Sequence, residues 1–221
     1  MKSALEPTPE ERELGVTCID LGAGTATIAL FSEGQFIGAD AVPVGSQHIT
    51  FDIARALQTP LGEAERIKTL YGTLISAHSD EHETLSYPLA GEEDGAVYHT
   101  TKARLTEIIV PRMTQIFGLV RERLAQNSAS AYAGDKIVLT GGASLLLGCA
   151  DFAANAFGRP VRLGRPQALQ GLPASVAGPQ FAALVGLAHA ASERREDIYQ
   201  ENSPTGQGYL GRVGTWLRQS F

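Results

Sequence analysis

Two short apolar runs, each ending in a polar residue and then a glycine-rich turn, constrain this chain more than any other feature. Residues 14–20 (LGVTCID) and 136–140 (KIVLT) are rich in β-branched side chains and too short for helices, the composition of buried strands. The first stops at Asp20 and continues as Leu21-Gly22-Ala23-Gly24-Thr25. The second stops at Thr140 and continues as Gly141-Gly142-Ala143-Ser144. Glycines there allow tight turns and let the backbone approach a ligand closely, with successive N–H groups aimed at phosphate oxygens.

The rest of the chain is read around these two points. Residues 25–32 (TATIALFS) and 35–44 continue the first run as a three-stranded antiparallel meander, turning at Glu33-Gly34. Helices are expected over 46–57, ended before Thr59-Pro60, and over 61–71, closed by Gly72 at the C′ position. Residues 78–100 are polar and irregular, with short strands and a loop. Residues 101–124 carry Leu105, Ile108, Ile109, Met113, Ile116, Phe117, Val120 and Leu124 at helical spacing, with Pro111 expected to kink the helix or mark a junction. After the second glycine turn come an apolar helix over 145–157, a short strand at 161–163, a loop over 165–174 and an Ala-rich helix over 176–192. Residues 1–13 read as a loose lead-in. Residues 193–207 (ERREDIYQENSPTGQ) cannot bury a core and read as a linker. The order β-β-β-α, insert, β-α-β-α predicts an α/β protein, matching one lobe of the actin-like (ribonuclease H-like) architecture.

Composition excludes several classes. With 18 Lys and Arg against 24 Asp and Glu, the net charge is −6, which argues against a nucleic-acid binder. The two cysteines, Cys18 and Cys149, form no C-x-x-C pair or Cys/His cluster, and both are expected in the core of a protein kept in a reducing compartment. The first 13 residues lack an apolar signal-peptide core, and no apolar run is long enough to span a bilayer. The expectation is a soluble intracellular protein that at most lies on a membrane.

Three constellations suit nucleotide chemistry. Asp20 at a strand end can hold a water on a divalent cation, and Thr25 can donate its hydroxyl to phosphate. Gly141 and Gly142 give a flat base or sugar room against the backbone, with Ser144 expected as the N-cap of the next helix. Glu65 and Lys68, spaced i, i+3, share one helix face and suit ribose hydroxyls and a base edge. His78 and His82 have no evident third ligand and are set aside as a metal site. No G-x-S-x-G elbow occurs. The acidic run Glu92-Glu93-Asp94 reads as a solvated loop.

Residues 208–221 (GYLGRVGTWLRQSF) form a fourth constellation. At about 100° per residue, Tyr209, Leu210, Val213, Trp216, Leu217 and Phe221 fall within roughly 140° of arc, while Arg212 and Arg218 lie outside it. Such a helix suits a membrane interface, with arginines reaching anionic headgroups.

In this order and spacing the motifs resemble the C-terminal half of the FtsA family of actin-like bacterial division proteins. The resemblance is carried by ELGVTCIDLGAGTATIALFSEGQFI, VPVGSQHITFDIARALQTPLGEAERIKTLYG, RLTEIIVPRM, IVLTGGASLL and the terminal GYLGRVGTWLRQSF, which span nearly all of residues 13–221. Other actin-superfamily proteins share DxGxGT and GG but not the PVG–HIT–DIAR–TPLxEAERIK–YG string.

The resemblance implies the second lobe of an actin-like fold. Subdomain 2A would comprise 14–49 and 119–192, the inserted subdomain 2B 50–118, and a C-terminal amphipathic membrane-targeting helix 208–221. It further implies that Asp20, Gly22, Gly24 and Thr25 face the phosphates and Mg2+ of ATP. Gly141, Gly142 and Ser144 would line the nucleoside, and Glu65 and Lys68 would contact ribose and adenine. Subdomain 2B would receive the acidic-hydrophobic C-terminal peptide of FtsZ at Arg112, with added attraction from Lys102 and Arg104. The implied function is non-enzymatic: FtsZ filaments are anchored to the cytoplasmic face of the inner membrane at the division septum, with self-association into actin-like filaments. The family's first lobe, with its own phosphate loop, lies outside the matched residues. ATP binding by this lobe alone is therefore expected to be weak, without hydrolysis. The alternative is a lobe of an actin-superfamily sugar or acid kinase, which would share both loops but need a carboxylate base and no amphipathic tail.

Overall fold

The structure, a computed structural model, describes residues 7–92, 95–166 and 173–192. The first apolar run is β1 (Val16–Leu21). It pairs antiparallel with β2 (Ala26–Ser32), which pairs antiparallel with β3 (Gln35–Val42). After the helices α2 (Ser46–Leu57) and α3 (Leu61–Tyr71), the hairpin of β4 (Thr84–Tyr87) and β5 (Tyr98–Thr101) and the long helix α4 (Lys102–Gln126), the second apolar run forms β6 (Lys136–Thr140). β6 lies parallel to β1, with β7 (Val161–Leu163) parallel on its outer side, giving the order β3-β2-β1-β6-β7. The parallel register sets Asp20 opposite Thr140. Both glycine turns therefore leave the sheet at the same end.

Strand alternation sorts the core into two clusters. Ile19, Leu21, Ile28, Leu30, Ile137 and Leu139 pack with Ile49 and Ile53 of α2, Ile67 of α3, and Leu105, Ile109, Met113, Ile116 and Phe117 of α4. Val16, Cys18, Ala29, Phe31 and Val138 form the smaller cluster. Both cysteines are buried and unbridged.

Several sequence expectations are corrected. The lead-in is not loose throughout: α1 (Pro9–Leu14) starts with a capping box, in which Thr8 Oγ1 accepts from the Glu11 N–H and Glu11 Oε2 accepts from the Thr8 N–H. Glu11 is buried against Arg162 and Lys136. Pro111 marks no junction: it lies inside α4, and Leu105 and Ile109 before it and Met113 and Ile116 after it enter one core. The helix after the second glycine turn begins at Cys149 rather than Leu145: Gly142–Leu145 is a 3₁₀ turn, Leu147 bridges Thr73, and α5 (Cys149–Phe157) follows only after Gly148 takes a φ of 81°. The last helix, α6 (Ala182–Ser192), is shortened by Gly178-Pro179, since proline disfavours helix in the residue before it. Gly72 ends α3 in extended rather than left-handed backbone. It is glycine because a Cβ would collide with the Lys68 carbonyl and Leu146.

Candidate nucleotide cleft

The first glycine turn is braced from behind. The Gly22 N–H donates to the Thr25 carbonyl at 2.9 Å, and the carbonyls of Gly22 and Ala23 accept the N–H groups of Ser46 and Gln47 at 2.9 and 2.8 Å. The opening amides of α2 are thus satisfied by the turn itself. Gly45 permits the approach, since a Cβ there would stand 2.5 Å from the Ala23 carbonyl oxygen and 2.6 Å from that of Gly22. Gly24 and Thr25 are exposed. Asp20 is half-buried without a hydrogen bond or counter-ion among the described residues, and burial raises its carboxyl pKa.

The second turn meets the first at Asp20. Gly141 has a φ of 85°, and a Cβ on it would strike Asp20 Oδ1 and the Leu21 carbonyl. Its N–H donates to the Pro179 carbonyl at 3.1 Å, which brings Gln180 over the turn. Ser144 is not an N-cap: it lies inside the 3₁₀ turn, buried, with its Oγ donating to the Gly141 carbonyl at 2.7 Å.

Glu65 and Lys68 form an ion pair of 2.7 Å on α3. Lys68 is only 7% exposed, and its Nζ also donates to Thr50 Oγ1 at 2.9 Å and to the Ser46 carbonyl at 3.3 Å. Burial pushes the Glu65 carboxyl pKa upward, but hydrogen bonds from Lys68 and Thr50 outweigh it and leave it lowered. The pair and the second turn face a common cleft of about 290 Å³, lined by Ser46, Glu65, Lys68, Gly72, Gly142 and Gln180 among others. Ser144 lies beneath this lining. Asp20, Gly22, Gly24 and Thr25 stand outside it, and Gly22 is joined to it through Ser46. Sequence reading missed Ser46, Thr50 and Gln180; only the Gly178-Pro179 turn marked the last of these segments.

This arrangement of sheet, turns and cleft has known counterparts. A sequence model described as "Cell division protein FtsA" matches residues 17–186. The chain belongs to the FtsA family. The Cell division protein FtsA of Rhizobium meliloti (strain 1021) is 38% identical over 223 residues, covering 96% of this chain and 49% of that protein. Those of Neisseria meningitidis serogroup B (strain MC58) and Escherichia coli (strain K12) are 35% and 31% identical, each covering 97% of this chain and 53% of its own length. The chain spans about half the length of the curated FtsA relatives it matches. Among solved structures, MreB5 of Spiroplasma citri bound to ADP aligns with a TM-score of 0.65 at 17% identity, over 82% of this chain and 55% of that one. The PilM-PilN type IV pilus biogenesis complex aligns with a TM-score of 0.62 at 20% identity, over 84% of this chain and 48% of that one. These likenesses fix the fold as actin-like.

Arg112, expected at a partner contact, and the flanking Lys102 and Arg104 are all engaged in ion pairs. Lys102 pairs with Asp80 at 3.3 Å and Glu83 at 3.0 Å, and Arg104 pairs with Glu107 at 2.9 Å. Arg112 makes a two-pronged contact with Asp52 of α2 at 2.6 and 2.8 Å and also reaches Gln115. The FtsA-like tail, with Tyr209, Leu210, Arg212, Val213, Trp216, Leu217, Arg218 and Phe221, lies outside the described residues, as do the linker and Glu93-Asp94. Among the described residues no helix is long and apolar enough to cross a membrane, and no group of three or more His, Cys, Asp and Glu residues could hold a metal ion.

Proposed function

We propose that this chain is the second lobe of an FtsA-type division scaffold. It holds the adenosine of ATP between α3 and the 141–145 turn and presents the 22–25 turn to the phosphates. The observation that carries this reading is the convergence of Glu65, Lys68 and Gly142 on one cleft, while Asp20 stands beside Gly141 as a half-buried carboxylate without a counter-ion. A buried, unneutralised carboxylate at a strand end is a functional-site signature. Asp20 fits a Mg2+ ion held through water, and the ion would neutralise phosphate charge. Held by the donors of this lobe alone, the nucleotide binds weakly, and the role is that of a scaffold rather than an enzyme.

On the same reading residues 14–49 and 119–192 form subdomain 2A and residues 50–118 the inserted subdomain 2B. Arg112, aided by Lys102 and Arg104, receives the acidic FtsZ peptide. Self-association clusters weak contacts, and the basic-aromatic segment 208–221 dips into the cytoplasmic face of the inner membrane at the septum. Titration of the full chain with Mg2+ and ATP tests the cleft: saturable binding weakened by Glu65→Gln is expected, and binding indifferent to Glu65 contradicts the assignment. Co-sedimentation with anionic liposomes tests the anchor, which deletion of 208–221 should abolish.

A further inference from the structure

The Glu65–Lys68 pair is not an ordinary i, i+3 surface contact. One partner is buried, and a buried ammonium needs acceptors that its own helix does not supply. Thr50, one helix away on α2 and 4% exposed, meets that need. Its Oγ1 donates to Glu65 Oε2 at 2.5 Å and accepts from Lys68 Nζ at 2.9 Å. Lys68 Nζ itself donates to the same Glu65 oxygen. Two donors thus converge on Oε2 and fix the plane of a carboxylate whose side chain is otherwise 53% exposed and lines the cleft. Valine has the shape of threonine but can do neither job, whereas serine can do both.

We propose that Thr50 is a positioning residue of the cleft. Its hydroxyl locks the Glu65 carboxylate and the Lys68 ammonium in the orientation that reads the ribose hydroxyls of a bound nucleotide. This rests on the adenine-nucleotide reading above. It makes ribose recognition a joint property of α2 and α3. Because the Ser46 carbonyl accepts from Lys68 Nζ, while the Ser46 N–H donates to the Gly22 carbonyl, the same lock ties the nucleoside side of the site to the phosphate turn.

The test is calorimetric titration of the full chain with ATP and with 2′-deoxyATP, both with Mg2+. Thr50→Val should weaken ATP binding by about tenfold and bring the ATP to 2′-deoxyATP affinity ratio toward one. Thr50→Ser should keep both affinities within about twofold of the parent chain. A merely structural role would weaken both nucleotides together and leave the ratio in place, and that result overturns the proposal. So does a Thr50→Ser variant as impaired as Thr50→Val, which would assign the effect to the lost methyl group. If Glu65→Gln collapses the ratio and Thr50→Val does not, the cleft reading stands and the Thr50 assignment falls. If the parent chain neither binds ATP nor distinguishes the two nucleotides, both fall.

Discussion

The backbone N–H of Ser46 donates to the Gly22 carbonyl at 2.9 Å, so the start of α2 is stitched to the turn after β1. Gly45, just before, permits this closeness by lacking a Cβ and not by its backbone conformation, since its φ of −149° is extended backbone open to any residue. Gly45→Ala should therefore destabilise through steric conflict with the Ala23 and Gly22 carbonyls, by about 2 kcal/mol or more. Urea denaturation checks this, and stability equal to that of the parent chain would mean that the turn is not held against α2.

Glu11 gives the fold a defined acid sensitivity. A hydrogen bond from Arg162, opposed by burial and helped by Lys136, holds its carboxyl down at about 2. A depressed folded-state pKa means that the stabilisation is fully present above the unfolded value near 4.5 and is lost as pH falls toward 2. With Lys136 half-exposed, the loss should come to about 2 kcal/mol. Stability measured against pH for the parent chain and Glu11→Gln should converge at the acid end of that window. Parallel curves would remove the clamp from the account.

The Arg112–Asp52 contact predicts opposite signs for two substitutions. If Arg112 attracts an acidic peptide, Arg112→Ala should weaken binding of an FtsZ C-terminal peptide by about 1–2 kcal/mol. Asp52→Ala should strengthen it by releasing the guanidinium. Fluorescence anisotropy with the labelled peptide reads both. Unchanged affinity in the two variants would place the contact elsewhere.

How much of this was legible in the sequence depends on the range of the interactions. β1, β2, β6 and the bounds of α2 and α3 were readable because β-branched runs, turn glycines and Thr59-Pro60 act locally. The run Leu145-Leu146-Leu147 suggested helix, yet a bridge to Thr73 and the left-handed Gly148 delay the helix to Cys149. Apolar character alone does not separate these outcomes. Glu11 fell within the stretch read as a loose lead-in, because its partner Arg162 lies 151 residues away. In the cleft, Glu65, Lys68 and the glycines were legible as motifs. Thr50 and Ser46 were not, because their roles arise only when α2 packs against α3.

Asp20 tests the account most directly. Burial raises its carboxyl pKa, so the charged form costs stability at neutral pH, and that cost disappears as pH falls through the carboxylate range. Asp20→Asn should therefore raise the melting temperature of the ligand-free chain. A ligand at a hundredfold excess over its Kd stabilises by about 2.7 kcal/mol. Melting curves with ATP, with and without Mg2+, should show Mg2+-dependent stabilisation in the parent chain and none in Asp20→Asn. An equal Mg2+-dependent shift in both proteins would contradict the role given to Asp20, and none in the parent chain would contradict the assignment of this lobe to nucleotide binding.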